Sequence, residues 1–469
     1  MLDTPRSPAP RSPAHDLVDV LFDISLARLP ARVAERARVC LIEALGCGVF
    51  GAGQVWSRIL VEEVLSDGAK DVATIIGHAA RTSAPGAALC NGTAIHGYEL
   101  DDLIAASVVH PGACVIPAAL AAGEAANASG ARVLEAIVAG YETMHRLGLA
   151  IGHDPSKKGF HVTAVTGPVA CAVSAGLVMN LSKDQLLSAI GIACSAASGI
   201  KSFATGQGGG MVKRLHLGRA AEAGVRACQL AARGFLGPPF AIDGRFGLLD
   251  VFGGAGTQPE ALRAGLSERW AIEQVWFKVF PICGWIQSVV QLCLELRGAG
   301  PLRPEDVAGV RVGVSAYAAQ NNGAPAPVDT MGAQYSIPYC AALALTGDPR
   351  DPALYAPAAL DDPARRALAR RVEVVVDPRI EAVYPGQFGS SVGLRLADGR
   401  TADGLVLDCH GTPSDPCTET ESREKFRLLT RQTLSQTQAD ALIAAVGGIA
   451  ELPAIRALMH ILSDRDAHA

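Results

Sequence analysis

The segment from Val162 to Ser182 carries no charged side chain, and it constrains the fold more than any other stretch. Its length would cross a bilayer. Its content argues for a different place: Ala, Gly, Val, Thr and Ser dominate, and Pro168 lies inside it. Small residues let helices approach closely, so the segment reads as a crowded core helix. The rest of the chain shares that texture. Among 469 residues there are 50 glycines, with 49% apolar and only 5% aromatic side chains. A core short of large rings must fill its volume by close helix approach.

The length predicts at least two packed units. A net charge of -5 with no basic stripe excludes a nucleic-acid partner but leaves small anionic ligands open. Twelve cysteines are scattered without a CxxC pair, and no basic region precedes an apolar leader. We therefore expect free, buried thiols in a reducing cytosol, no membrane association and a cytoplasmic protein.

The expected fold class is mainly α: a large all-helical domain with an inserted smaller α+β lid domain. Residues 1–15 are Pro- and Ser-rich and read as a disordered tail. Residues 16–276 read as the helical domain. Leu17, Leu21 and Ile24 recur at helical spacing. Pro30 opens a second helix with Val33, Ala37, Leu41 and Leu45 on one face. Ser182 with Gln185 forms a capping box before Leu186. Residues 277–414 read as the α+β unit, with strands at Val310–Val314 and Val372–Val376. A hairpin follows, turning at Asp398-Gly399 between Val392–Leu396 and Leu405. Residues 415–469 return to helix, with Leu428, Leu442, Ile443 and Leu458 as core positions.

Familiar motifs are missing. There is no HExxH, CxxC or EF-hand loop, which points to no metal. The run Gly206–Gly210 follows no strand, and Lys213 is not followed by Ser or Thr, so a phosphate loop is disfavoured. No cofactor is expected. The informative residues are polar groups at the starts of small-residue helices. His110 precedes Pro111-Gly112, His161 opens the charge-free segment, and Lys213 stands beside Arg214 and His216. Helix starts offer unpaired N–H groups and a positive dipole end, so three that converge would hold a carboxylate. Singly, each also fits a cap, a core histidine or a surface charge. The acids Glu99, Asp101 and Asp102 end a helix, where the dipole disfavours them. Pairing with His110 or a lysine would compensate.

These residues fall in an order that resembles the MmgE/PrpD family, which includes 2-methylcitrate dehydratases, cis-aconitate decarboxylases and an iminodisuccinate epimerase. The matching segments include Asn91-Gly92 to Asp102, His110-Pro111-Gly112 and Gly159–Thr163. They continue with Lys213–His216, Gly234–Pro238, Lys278 before Pro281, and Tyr335–Tyr339. The resemblance implies a helical main domain, an α+β lid and a homodimer. It places His110, His161, Lys213 and Lys278 on the family's site positions. The family's Asp falls on Glu99, and its Tyr on Tyr317. Its Thr falls on Leu103, and a common His on Gln287; both are departures.

From this we expect a cofactor-free lyase acting on a small di- or tricarboxylate, a dehydratase first and a decarboxylase second. His161 is expected as the main acid/base and His110 as its partner, oriented by Asp102. Lys213 and Lys278 would neutralise substrate carboxylates. Glu99, Asp101, Tyr317, Arg214, His216 and Tyr335 would line the substrate. The alternatives are an epimerase of a small dicarboxylate or a carboxylate-binding protein that does no chemistry.

Overall fold

The charge-free segment is a helix, Val162–Val178, and every one of its residues is buried. The computed structural model describes residues 11–205 and 209–463. Most of the Pro/Ser-rich tail (residues 1–10) and part of the glycine run (206–208) lie outside the described residues. Helices Gly112–Ala126, Gly130–Ile151 and Met211–Ala231 surround the buried helix, and Ala84–Ile95 packs on Gly112–Ala126 and Met211–Ala231. Glycine is what permits the approach. A Cβ at Gly224 would lie 2.4 Å from the Cys171 Cβ, and one at Gly218 would lie 2.3 Å from the Leu89 carbonyl oxygen. Among the described residues no single helix is long and apolar enough to cross a membrane.

The tail expectation needs one correction. Pro13–His15 open the first helix, Pro13–Phe22, rather than a free tail. Its start is anchored by Asp243, which accepts from Ser12 Oγ at 2.9 Å and from the Ala14 N–H at 3.0 Å. Pro30 caps the helix Ala31–Ala52, with Val33, Ala37, Leu41 and Leu45 all buried. The Ser182–Gln185 capping box opens Lys183–Cys194.

Two hydrophobic cores organise the chain. The larger draws on residues 14–277 and again on 426–462, so the C-terminal helices pack with the first part of the chain. The smaller draws on residues 280–394. It holds a four-stranded sheet in the order Val372–Val376, Val307–Val314, Ser390–Leu396, Thr401–Val406, with the first pair parallel and the others antiparallel. Val310, Val312 and Val314 alternate inward with the pleat, under helices Gln287–Arg297 and Ile337–Thr346. In helix Glu419–Thr430 the spacing of Ser422, Phe426 and Leu429 defines the buried face. Leu428, expected in the core, is turned outward and 40% exposed.

The two cores meet along one seam. Leu103 and Trp276, whose backbones pair in both directions at 3.2 and 2.8 Å, pack against Phe388 and Cys409 from the later part of the chain. Gln334 Nε2 donates to the carbonyls of Tyr98 and Pro281. A cavity of about 410 Å³ opens at this seam.

Candidate active site

Three helix starts reach the cavity. His161 caps Val162–Val178, His110 stands just before Pro111 and the helix Gly112–Ala126, and Lys213 lies in the first turn of Met211–Ala231. The acids come from the loop after helix Ala84–Ile95. Glu99 adopts a left-handed backbone (φ 57, ψ 33), as does Val108 (φ 53), and both are costly for non-glycine residues. These two turns fold the loop so that Glu99, Asp101 and His110 share one small volume.

Glu99 is the hub. It is 1% exposed and accepts from both lysine ammoniums: Lys213 on one oxygen and Lys278 at 3.2 Å on the other. Burial alone would raise its pKa. The two cations outweigh burial and hold the carboxyl well below its ordinary value. Lys213 is pushed down, first by burial, while Lys278, though equally buried, is held up by Glu99 and Asp101. The Lys213 ammonium also sits 5.2 Å from the centre of the Tyr335 ring, a cation–π contact.

Asp101 carries the second network. Its Oδ2 meets His96 Nδ1 at 2.6 Å and His110 Nδ1 at 3.3 Å, and its Oδ1 lies 3.5 Å from Lys278 Nζ. Burial works to raise Asp101, but His96 and Lys278 keep it well below its ordinary value. His110 Nδ1 also lies 2.7 Å from the Asp102 carbonyl oxygen, which can only accept. Nδ1 therefore carries a proton, and in the neutral form of the ring the lone pair lies on Nε2.

His161 has a different setting. Its Nδ1 shares one hydrogen bond with His216 Nδ1 at 3.2 Å, and its ring stacks on His96 at 6.0 Å. Burial lowers its pKa well below the usual imidazole value, and the neighbouring His96 and Lys213 add to that. Burial likewise takes His96 down to about 4, against the pull of Asp101. These two rings stay neutral. His96, Asp101 and His110 also have donor atoms close enough for a metal ion, but each ring nitrogen facing Asp101 is accounted for as a hydrogen-bond donor.

Several expected residues have other work. The Asp102 carboxylate does not orient His110. It accepts from Tyr141 Oη at 2.6 Å and from the Gly112 N–H at 2.9 Å, and burial raises its pKa to about 6. A Cβ at position 112 would lie 2.7 Å from that carboxylate, which explains the glycine. Lys278 does not line the cavity; two desolvated acids need its charge behind them. Arg214 is 1% exposed and spends its guanidinium on Gly97 O, Gly210 O and Gln334 Oε1 across the seam, over the Trp56 ring. His216 backs His161. Tyr317 and Tyr335 do line the cavity, as does Leu103. Gln287 braces a loop, bonding to Phe280 and Ile282.

Sequence reasoning passed over Lys201, His96 and Lys425. Lys201 is placed by short backbone pairing: Phe160 bridges Ile200, and the Lys201 N–H donates to Gly159 O at 2.7 Å. Nothing in the sequence marks that pairing. His96 lies five residues before Asp101 in a stretch already singled out for its acids. Lys425 comes from the C-terminal helix Glu419–Thr430. Its ammonium bonds to Glu43 at 2.6 Å and to the carbonyls of Leu100 and Lys278, fixing the backbone beneath the acids.

A model of the MmgE/PrpD N-terminal domain matches residues 15–260, and one of the MmgE/PrpD C-terminal domain matches 280–449. A cis-aconitate decarboxylase of Aspergillus terreus is 31% identical over 68% of each chain. A cis-aconitate decarboxylase-like protein of Aspergillus oryzae is 27% identical over 96% of each. The human cis-aconitate decarboxylase is 26% identical over 94% of this chain and 92% of its own. The chain belongs to the MmgE/PrpD family.

Proposed function

We propose that the protein is a lyase of the dehydratase or decarboxylase type. It would act on a small carboxylic acid bearing two or more carboxylates, moving a proton at a carbon beside one of them with its own side chains. The observation that carries this reading is His110. Its Nδ1–H is fixed by a carbonyl, its Nε2 carries a lone pair, and a carboxylate stands 3.3 Å behind it. That is the arrangement of a general base whose gained charge is balanced from behind. We assign the two histidines in the opposite order from the sequence expectation: His110 would take the proton, with His161, its pKa lowered by burial, as its partner.

In dehydration, His110 removes the proton beside the carboxylate. The C–O bond breaks as the leaving hydroxyl takes a proton, giving an alkene and water. In decarboxylation, the C–C bond breaks, CO₂ departs, and the electron pair left on carbon is protonated by a histidine. Either route builds negative charge on the remaining carboxylate, next to Lys213 and the N–H groups that open Val162–Val178. The relatives' names favour decarboxylation, and cis-aconitate is the first substrate to try. The test is CO₂ release from cis-aconitate and water loss from hydroxylated di- and tricarboxylates, with wild type beside His110→Gln. Turnover by wild type, abolished in a variant of unchanged melting temperature, is the expected result. Equal turnover in both sinks the assignment.

A further inference from the structure

The charges lining the cavity leave little unmatched positive charge for a ligand's carboxylates. Lys213 is already matched by Glu99, and behind it Lys278 is matched by Glu99 and Asp101. The floor therefore has little positive charge to spare. At the mouth, Lys157 leans on Asp154 at 3.4 Å. Among the described residues lining the cavity, Lys201 is the one cation without a carboxylate partner. It donates to Ser156 Oγ at 3.0 Å and to Tyr317 Oη at 2.9 Å, and its ammonium lies 5.5 Å from the centre of the Tyr317 ring. An ammonium has three donors, so one remains for a ligand.

Tyr317 joins these polar groups to an aromatic wall. Trp285 meets Phe388 with ring centres 3.8 Å apart and Tyr317 at 5.6 Å, and Tyr384 stacks on Tyr317 at 6.1 Å. Leu103 extends this surface, packed with Trp276 and Phe388. The ring faces of this wall cannot pair with a carboxylate, and a charged group pressed against them would lose its hydration without return. An apolar or planar group gains both area and ring contacts there.

We propose that the cavity takes a dicarboxylate carrying an apolar, preferably aryl, substituent. The reacting carboxylate lies at Lys213 and the helix starts, the second carboxylate on Lys201 with Tyr317, and the substituent against Trp285, Tyr384 and Phe388. Lys201 is then a specificity residue. This inference rests on the lyase reading for the place of the reacting carbon, but its three subsites are open to separate test.

The probes are phenylsuccinate and methylsuccinate, equal in charge and different in substituent, titrated calorimetrically into wild type, Lys201→Met and Tyr384→Ala. Melting temperatures show that each variant is folded. Trp285→Leu replaces Tyr384→Ala if the latter does not fold. Wild type should bind phenylsuccinate about tenfold tighter or more, a step of the size one aromatic contact supplies. Lys201→Met should weaken both probes by about tenfold, as expected for a charge-assisted contact. The wall variant should close the gap between the probes by weakening phenylsuccinate more than methylsuccinate. Equal affinities in wild type, no binding of either probe, or affinities untouched by Lys201→Met would each overturn the proposal. Turnover of cis-aconitate without aryl preference would leave the lyase reading standing and remove this one. Aryl preference with no turnover of any carboxylate would do the reverse.

Discussion

The floor and the mouth of the cavity solve opposite problems. On the floor, Glu99, Asp101, Lys213 and Lys278 are each 2% exposed or less, and every charge has a partner. At the mouth, Lys201 is partly exposed, has only hydroxyl partners and faces rings. Buried charges must be compensated because desolvation costs several kcal/mol per ion, so the floor is organised against itself before any ligand arrives. The mouth carries no such obligation, and its cation is free to select. The floor should therefore govern folding and proton chemistry, and the mouth should govern choice of ligand.

The sharpest test of that division is Glu99→Gln. It leaves two buried ammoniums with Asp101 alone, and the expected loss is about 3–5 kcal/mol of stability, read by denaturant titration. A loss below about 1 kcal/mol would mean that the floor is not a compensated network. Next in size is His110→Gln, which keeps the shape and removes the base. Turnover should fall about 10²–10⁴-fold with the melting temperature held.

Asp102→Asn separates the floor from its frame. The Asp102 carboxylate serves Tyr141 and Gly112, while only its backbone carbonyl serves His110. Stability should drop by about 1–3 kcal/mol and kcat should change little. A catalytic collapse with intact stability would restore the carboxylate to the mechanism.

The histidines provide a test by pH. His96 and His161 are held neutral by burial, so their pKa values are lowered and they keep the neutral form as pH falls through the ordinary imidazole range. Histidine ring resonances followed by NMR, assigned with single variants, should show neither titrating near pH 6.5, where a free imidazole does. Either ring titrating there would mean that the floor is wetter than its packing. The smallest effect belongs to the mouth: Lys201→Met should change stability by less than about 1 kcal/mol, since its partners are neutral and partly exposed. A cost comparable to that of Glu99→Gln would erase the distinction between the two regions.

The helical elements were legible because burial of one face imposes a period. Val33, Ala37, Leu41 and Leu45 lie on one stripe whatever surrounds them, and Ser182 with Gln185 caps a helix by local hydrogen bonds alone. The strands at 310–314 and 372–376 were legible as short runs rich in valine, whose branched side chain favours the pleat. The acids were harder. Asp101 and Asp102 are neighbours in sequence, and nothing local says which one faces the histidines. The left-handed turns at Glu99 and Val108 decide it, and those conformations are held by the packing around the loop.

The sequence by itself determined that this chain builds a small-residue helical core, and that His110, His161 and Lys213 stand at helix starts. Both follow from short-range rules of spacing, capping and residue volume. The tertiary structure alone decided that Lys278 backs the acids instead of lining the cavity, that Arg214 staples the seam, and that Lys201 reaches the mouth. Each depends on which distant segment lies opposite. A charged side chain takes its role from the counter-charge and the water that packing leaves beside it, and neither is written in the local sequence.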